Sequence, residues 1–505
     1  MAKCDEDEKI KMAEFKNGKN HSTATSKTQN VTIHLFLATF AAVVGSAFQH
    51  GYNTGVVNAP VKILEKWIRE VLKNQSIAAG EIGVASETFV NVILATIVSV
   101  FCFGGMIGGL CVGVVSEIFG RKGGILFNNI FVFVSALLMG FAKSQESIMM
   151  LIIGRLFIGV NAGINAGLIP MYLSEISPLN LRGMIGSSYQ LIITVSILLS
   201  QILGLESILG NENHWPILLS LIVVPAFLQL VLMPACVESP KYLWSKGQEQ
   251  SAIEALHWLR CTSDVQSELD LIKSESDAQK SAGKITLSQM LTNPMLRIPM
   301  IISIVIMLAQ QLSGINAVIF YSTKIFKSAN LSDDMAQIGT IAMGAMNVAM
   351  TLASSILVEA AGRKTLLLIG FVGMLIDTIL LTIALPMAKS LESDVIKYMP
   401  VVLVIGFVVI FAVGPGSIPW FLVSELFMQN ARPMATSIAV GINWSANFFV
   451  GLGFPILHSA MNSYVFVLFA FLQLLFTIFI LKKVPETKNK TTEEISAIFR
   501  QMSYE

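Results

Sequence analysis

Twelve apolar stretches, each long enough to cross a bilayer as a helix, constrain this chain more than any other feature. They fall at about 32–58, 87–115, 124–142, 148–173, 184–206, 214–234, 299–325, 335–358, 365–385, 398–428, 434–456 and 463–482. Crossing roughly 30 Å of hydrocarbon takes about 20 predominantly apolar residues, and a helix satisfies its own backbone N–H and C=O groups on the way. The first six stretches and the last six are separated by a polar, helix-forming region containing EQSAIEALHWLR and SELDLIKSESD. The chain therefore reads as an all-α polytopic membrane protein with twelve transmembrane helices in two six-helix pseudo-repeats. The halves span 32–234 and 299–482, with a helical cytosolic linker at 235–298 and cytosolic tails at 1–31 and 483–505. At 54% hydrophobic and 13% charged residues, composition agrees. A net charge of +1 offers nucleic acid no basic face. The five cysteines are scattered, so neither a disulfide framework nor a metal site is expected, and the polar first thirty residues lack the apolar core of a cleaved signal.

Lysine and arginine set the orientation. With the N-terminus inside, 24 lie on the cytosolic side and 9 outside, the bias that keeps positive loops in the cytosol. Asn74-Gln75-Ser76, a glycosylation acceptor sequence, then falls in an outer loop.

The halves repeat each other. Gly120-Arg121-Lys122 returns as Gly362-Arg363-Lys364, an offset of 242 residues, and the pair Glu175 and Arg182 returns as Glu425 and Arg432 with the same gap of seven. Val237-Glu238-Ser239-Pro240-Lys241 closes one half much as Val484-Pro485-Glu486-Thr487-Lys488 closes the other. These charges, with Glu359 ahead of the second turn, read as a cytosolic latch. Exposed ion pairs are worth about 0–1 kcal/mol each, so such a network can hold a conformation and still release it. Arg155 is assigned to the same latch. An unpaired arginine inside the membrane costs roughly 2.5–3.5 kcal/mol, so a carboxylate such as Glu175 or Glu238 is expected beside it.

Gln310 to Tyr321, QQLSGINAVIFY, places four polar residues inside an apolar run. On one unbroken helix Asn316 would lie about 140° round from Gln311. A break at Gly314 is expected instead, opening amides and backbone carbonyls toward a midplane cavity. Gln190, Thr194, Ile197 and Gln201 form a stripe at helical spacing that can line such a cavity, with Ile193 beside it. Asn443 and Asn447 stack one turn apart next to Trp444, and Trp420 follows Pro415 and Pro419 where a helix must kink. Gly105, Gly109 and Gly113, like Gly159, Gly163 and Gly167, repeat every four residues as close-packing positions.

Taken together these motifs resemble the facilitative glucose transporters, sugar porters of the major facilitator superfamily. The resemblance covers essentially the whole chain. It is carried by Gly51-Tyr52-Asn53-Thr54-Gly55, the two Gly-Arg-Lys turns, Gln310 to Asn316, Gly414-Pro415-Gly416-Ser417-Ile418-Pro419-Trp420, Asn443-Trp444 with Asn447, and Val484 to Lys488. It implies the major facilitator fold. It also implies facilitative transport of hexoses, D-glucose favoured, by alternating access, with no cofactor and with a monomer sufficient. The substrate-binding set it implies is Gln190, Ile193, Ile197, Gln310, Gln311, Asn316, Asn347, Trp420, Asn443, Trp444 and Asn447. Two departures stand out: His50 where an aromatic residue is usual, and Ala412 where many members have a glutamate.

An enzyme is disfavoured because the histidines are scattered and no nucleophile and base pair stands out. Transport is expected to run downhill, since Asn53 stands where the proton-coupled relatives of the resembled family carry an aspartate. Of the ionisable residues within the spans, His50 has no carboxylate in its own helix to relay to. Asp377 is expected near the bilayer boundary or paired with a neighbour.

Overall fold

The computed structural model describes residues 31–78, 86–178, 180–282, 285–329, 331–390, 394–427, 431–488, 490 and 492–502. Of the tail expected at 1–31, only Val31 falls within them. Every regular element among the described residues is helical. The first half contains α1 (Ile33–Gly55), α2 (Val61–Ala78), α3 (Glu87–Ile118), α4 (Gly120–Phe141), α5 (Ile148–Ile176), α6 (Arg182–Leu203) and α7 (Trp215–Ala235). The polar region is indeed helical, as α8 (Pro240–Ser245), α9 (Glu249–Arg260), α10 (Gln266–Ala282) and α11 (Leu287–Thr292). The second half contains α12 (Pro294–Leu312), α13 (Ile315–Ser328), α14 (Asp333–Ala361), α15 (Arg363–Ser390), α16 (Asp394–Val413), α17 (Ile418–Leu426), α18 (Arg432–Met461) and α19 (Val465–Lys483), and α20 (Thr492–Met502) follows.

Among the described residues there are, by length and hydropathy, eleven candidate spans, because Met434–Lys483 runs on as one stretch of 50 residues. At 1.5 Å per residue that stretch is about 75 Å long, more than twice the hydrocarbon thickness. Its backbone turns at Asn462, where φ is 51°. It therefore crosses twice, and the count is twelve. One element was not anticipated: the loop after the first span is largely α2, whose Trp67 ring meets Trp215 at 5.0 Å.

Glycines fix how the helices approach. A Cβ on Gly163 would lie 2.1 Å from the Gly105 carbonyl oxygen, and one on Gly159 would lie 2.1 Å from that of Phe101, so α5 and α3 touch backbone to backbone. The α3 face turned to α5 is Gly104 and Gly108, whereas Gly105 and Gly109 face Trp444 and Val440 of α18. Gly113 meets nothing within 4 Å and is not a packing position. The halves join mainly through α3 on α18 and α6 on α14.

Candidate functional site

The break expected in QQLSGINAVIFY is present. α12 ends at Leu312, Gly314 takes φ 95°, and α13 starts at Ile315. Left-handed backbone of this kind costs glycine nothing. From α19, Gln473 donates to the Ser313 carbonyl at 2.8 Å, satisfying a group the break exposes. The two sides of the break carry amides that bond to each other, and those of α12 also meet α18. Gln311 Nε2 donates to Asn443 Oδ1 at 2.9 Å, Asn316 Nδ2 donates to Gln311 Oε1, and Asn443 Nδ2 donates to Gln310 Oε1 at 2.8 Å. Gln310 Nε2 in turn donates to the carbonyls of Pro415 and Gly416, both at 2.8 Å, where the chain turns between α16 and α17. Four amides from three chain segments thus form one connected cluster.

Other expected site residues lie around it. Trp420 is half-buried against the cluster of Met307, Val423 and Ala439. Trp444 is buried in the seam between halves, its ring 5.4 Å from His50 and 5.8 Å from Phe101. His50 Nδ1 lies 3.2 Å from the Tyr189 hydroxyl. Asn447 is buried with Oδ1 unpartnered among the described residues. Ile193 and Ile197 are buried, while Gln190 and Asn347 are half-exposed. Neither of the last two bonds to the amide cluster among the described residues.

The charged motifs form two ion-paired clusters related by the repeat, the latches expected above. Arg121 Nη2 meets Glu175 Oε1 at 2.8 Å, and Arg363 Nη2 meets Glu425 Oε1 at 3.0 Å. Glu238 accepts from the N–H groups of Arg121 and Lys122 at 3.1 and 3.0 Å; Glu486 accepts from those of Arg363 and Lys364 at 2.9 and 3.1 Å. Ser239 and Thr487 donate their hydroxyls to Glu175 and Glu425. Both turns need their glycine. Gly120 has φ 75° and Gly362 φ 91°, and a Cβ there would lie 2.5 or 2.8 Å from the Glu238 or Glu486 carboxylate. Burial pushes the Glu486 carboxyl up, but the N–H groups of Lys488, Arg363, Lys364 and Thr365 more than reverse this, leaving it below the usual range.

Three expectations are corrected. Arg155 has no carboxylate beside it among the described residues: Nη1 donates to the Asn53 carbonyl at 3.0 Å, Nε to that of Ile97 at 3.2 Å, and the guanidinium stands 4.7 Å over the Phe101 ring. Glu175 is twenty residues further along α5, about 30 Å away at 1.5 Å per residue, so Arg155 ties α1, α3 and α5 together and is no part of a latch. Arg182 and Arg432 make no ion pair with Glu175 or Glu425 among the described residues. Arg432 Nη2 donates instead to the Phe427 carbonyl at 3.3 Å. Asp377 lies mid-way along α15, is 7% exposed, and has Oδ2 unpartnered among the described residues. It is neither at a boundary nor paired. The Glu359 side chain lies outside what is described.

Contacts that sequence reading missed close the end of the bundle remote from the latches. Asn58 Nδ2 donates to Ser322 Oγ at 2.6 Å, Ser322 and Thr323 reach Thr340 at 3.1 and 3.0 Å, and Asp333 pairs with Lys62 at 2.7 Å and Lys327 at 2.8 Å. Lys324 meets Glu65 at 3.2 Å. Hydrogen bonding to Asp333 raises the Lys62 ammonium above its usual value. Lone polar residues at the ends of apolar runs are the signal that could have found them.

The pattern of the family described as "Sugar (and other) transporter" matches residues 38–499. The facilitated glucose transporter member 4 of Bos taurus (solute carrier family 2) is 44% identical over 474 residues, 94% of this chain and 92% of that one. Member 1 of Gallus gallus is 43% identical over 472 residues, 93% and 94% of the two chains. Among solved structures, the partially occluded inward-open xylose transporter XylE of E. coli superposes with a TM-score of 0.76 at 25% identity, covering 91% of this chain and 100% of the other.

Proposed function

Because the chain belongs to the sugar transporter family, we propose that it carries D-glucose and related hexoses downhill across the plasma membrane by alternating access. The observation that carries this reading is the amide cluster at the Gly314 break. Gln310, Gln311, Asn316 and Asn443 hold donors and acceptors in the membrane interior, and each can exchange a partner amide for a sugar hydroxyl at small net cost. Trp420, Trp444, Asn447, Ile193 and Ile197 supply the walls, and Gln190 and Asn347, both half-exposed, take hydroxyls that the cluster does not reach. The Arg121–Glu175 and Arg363–Glu425 latches lie on the cytosolic face with the linker and both termini, and the closed end faces outward. A single chain contains the whole path.

Asn53 supports uniport, since an amide carries no proton through the cycle; its Nδ2 donates to the Gln49 carbonyl at 2.8 Å. In sealed proteoliposomes labelled D-glucose should equilibrate, be competed by hexoses, and not accumulate under an imposed pH gradient. Accumulation that a protonophore collapses would establish proton coupling, and its loss in His50→Phe or Asp377→Asn would identify the carrier.

The orientation has its own test. Asn74 is exposed at the closed end, its side chain 3.3 Å from Glu146. Protein from cells should shift in mobility on glycosidase treatment, and Asn74→Gln should abolish the shift. Cleavage of the 235–298 linker by protease added to intact cells would reverse the assignment.

A further inference from the structure

Gln201, near the closed end of α6, is 1% exposed, and neither its Nε2 nor its Oε1 has a hydrogen-bond partner among the described residues. It is a whole amide left without partners at the seam between halves. It is also wedged: a Cβ on Gly344 of α14 would lie 2.2 Å from Gln201 Oε1 and 3.2 Å from Leu198 Cδ1. Along α6 Gln201 lies one turn beyond Ile197, and Gly344 lies one turn before Asn347 on α14. The amide therefore stands one step outside the proposed sugar path.

We infer that Gln201 is a positioning residue of the transport cycle, whose unsatisfied amide drives the α6–α14 seam apart against the contacts that close it. A buried amide without partners is destabilising in the closed arrangement, and water satisfies it once the seam parts. This is a differential interaction between two states, which is what shifts their populations. Asn58 with Ser322 and Lys62 with Asp333 favour closure, and Gln201 offsets them, so neither state becomes a trap.

The inference rests on the alternating-access reading, but its test uses no transport measurement and does not depend on orientation. Spin labels go on Glu206→Cys and Asp334→Cys, exposed positions at the closed end of opposite halves, in full-length protein with the five native cysteines replaced by serine. Pulsed electron resonance then reads the fractions of short and long distances. Gln201→Leu should lower the open-to-closed ratio about tenfold or more. Gly344→Ala, which drives a methyl into the amide, should raise the ratio, and adding Gln201→Ala should return it toward the starting value. If Gln201→Leu leaves the ratio unchanged or raises it, the amide exerts no opening force and the inference fails. The same holds if Gly344→Ala opens the seam while Gln201→Leu does nothing, since only bulk would then matter.

Discussion

Gln311→Leu is expected to lower D-glucose uptake about tenfold or more while leaving the amount of protein at the cell surface unchanged. Gln311 stands at the centre of the amide cluster, donating to Asn443 and accepting from Asn316. Leucine is of similar size, so packing is kept and only the polar partners are lost. Asn443 Oδ1 and Asn316 Nδ2 are then left unsatisfied in a buried site, at a cost of about 1–3 kcal/mol each, and an incoming sugar loses a partner as well. Only the bonds the sugar would have made to Gln311 count toward affinity, about 0.5–1.5 kcal/mol for each of its donor and its acceptor, and each 1.4 kcal/mol is about a factor of ten. Full uptake by this variant would mean that the amides only join helices to one another.

Gly314→Val should be the other severe change, with Gly314→Asn much milder. The φ of 95° at this position is one that a β-branched residue adopts only under strain, on the order of 1–2 kcal/mol or more, while asparagine tolerates left-handed backbone. A Cβ there would also lie 3.1 Å from the Phe469 ring, which must give way in both variants. Valine pushes the chain toward continuous helix, and Asn316 would then rotate away from Gln311. Uptake compared across wild type, asparagine and valine at matched surface expression provides the measurement. Equal activity of the valine and asparagine variants would show that the break is not required.

The latches show how a repeat in sequence becomes a repeat in space. The matched spacing of Glu175 with Arg182 and Glu425 with Arg432 marks equivalent positions in the two halves without naming their partners. The acids pair with Arg121 and Arg363, from the Gly-Arg-Lys turns. Equal spacing identifies residues that share a role in the two halves, but a partner 54 or 62 positions away is chosen by how helices pack. Arg155 shows the same limit from the other side. Its burial and its need for oxygen partners followed from its place in an apolar run, but backbone carbonyls of α1 and α3 supply them, and no pattern of side chains announces a carbonyl.

Features that follow from local chemistry are legible along the chain. The apolar run lengths set twelve crossings, the loop lysines and arginines set the expected sidedness, and the polar residues around Gly314 set a break, because each depends on residues within one segment facing one solvent. The tertiary structure alone decided which segments meet. It closed the bundle through Asn58, Ser322 and Thr340, turned Gly104 and Gly108 toward α5 while Gly105 and Gly109 face α18, and left the Gln201 amide and Asp377 Oδ2 buried without hydrogen-bond partners among the described residues. Those outcomes depend on crossing angles and helix rotations, which are set by the summed packing of whole faces and leave no trace at any single position of the chain.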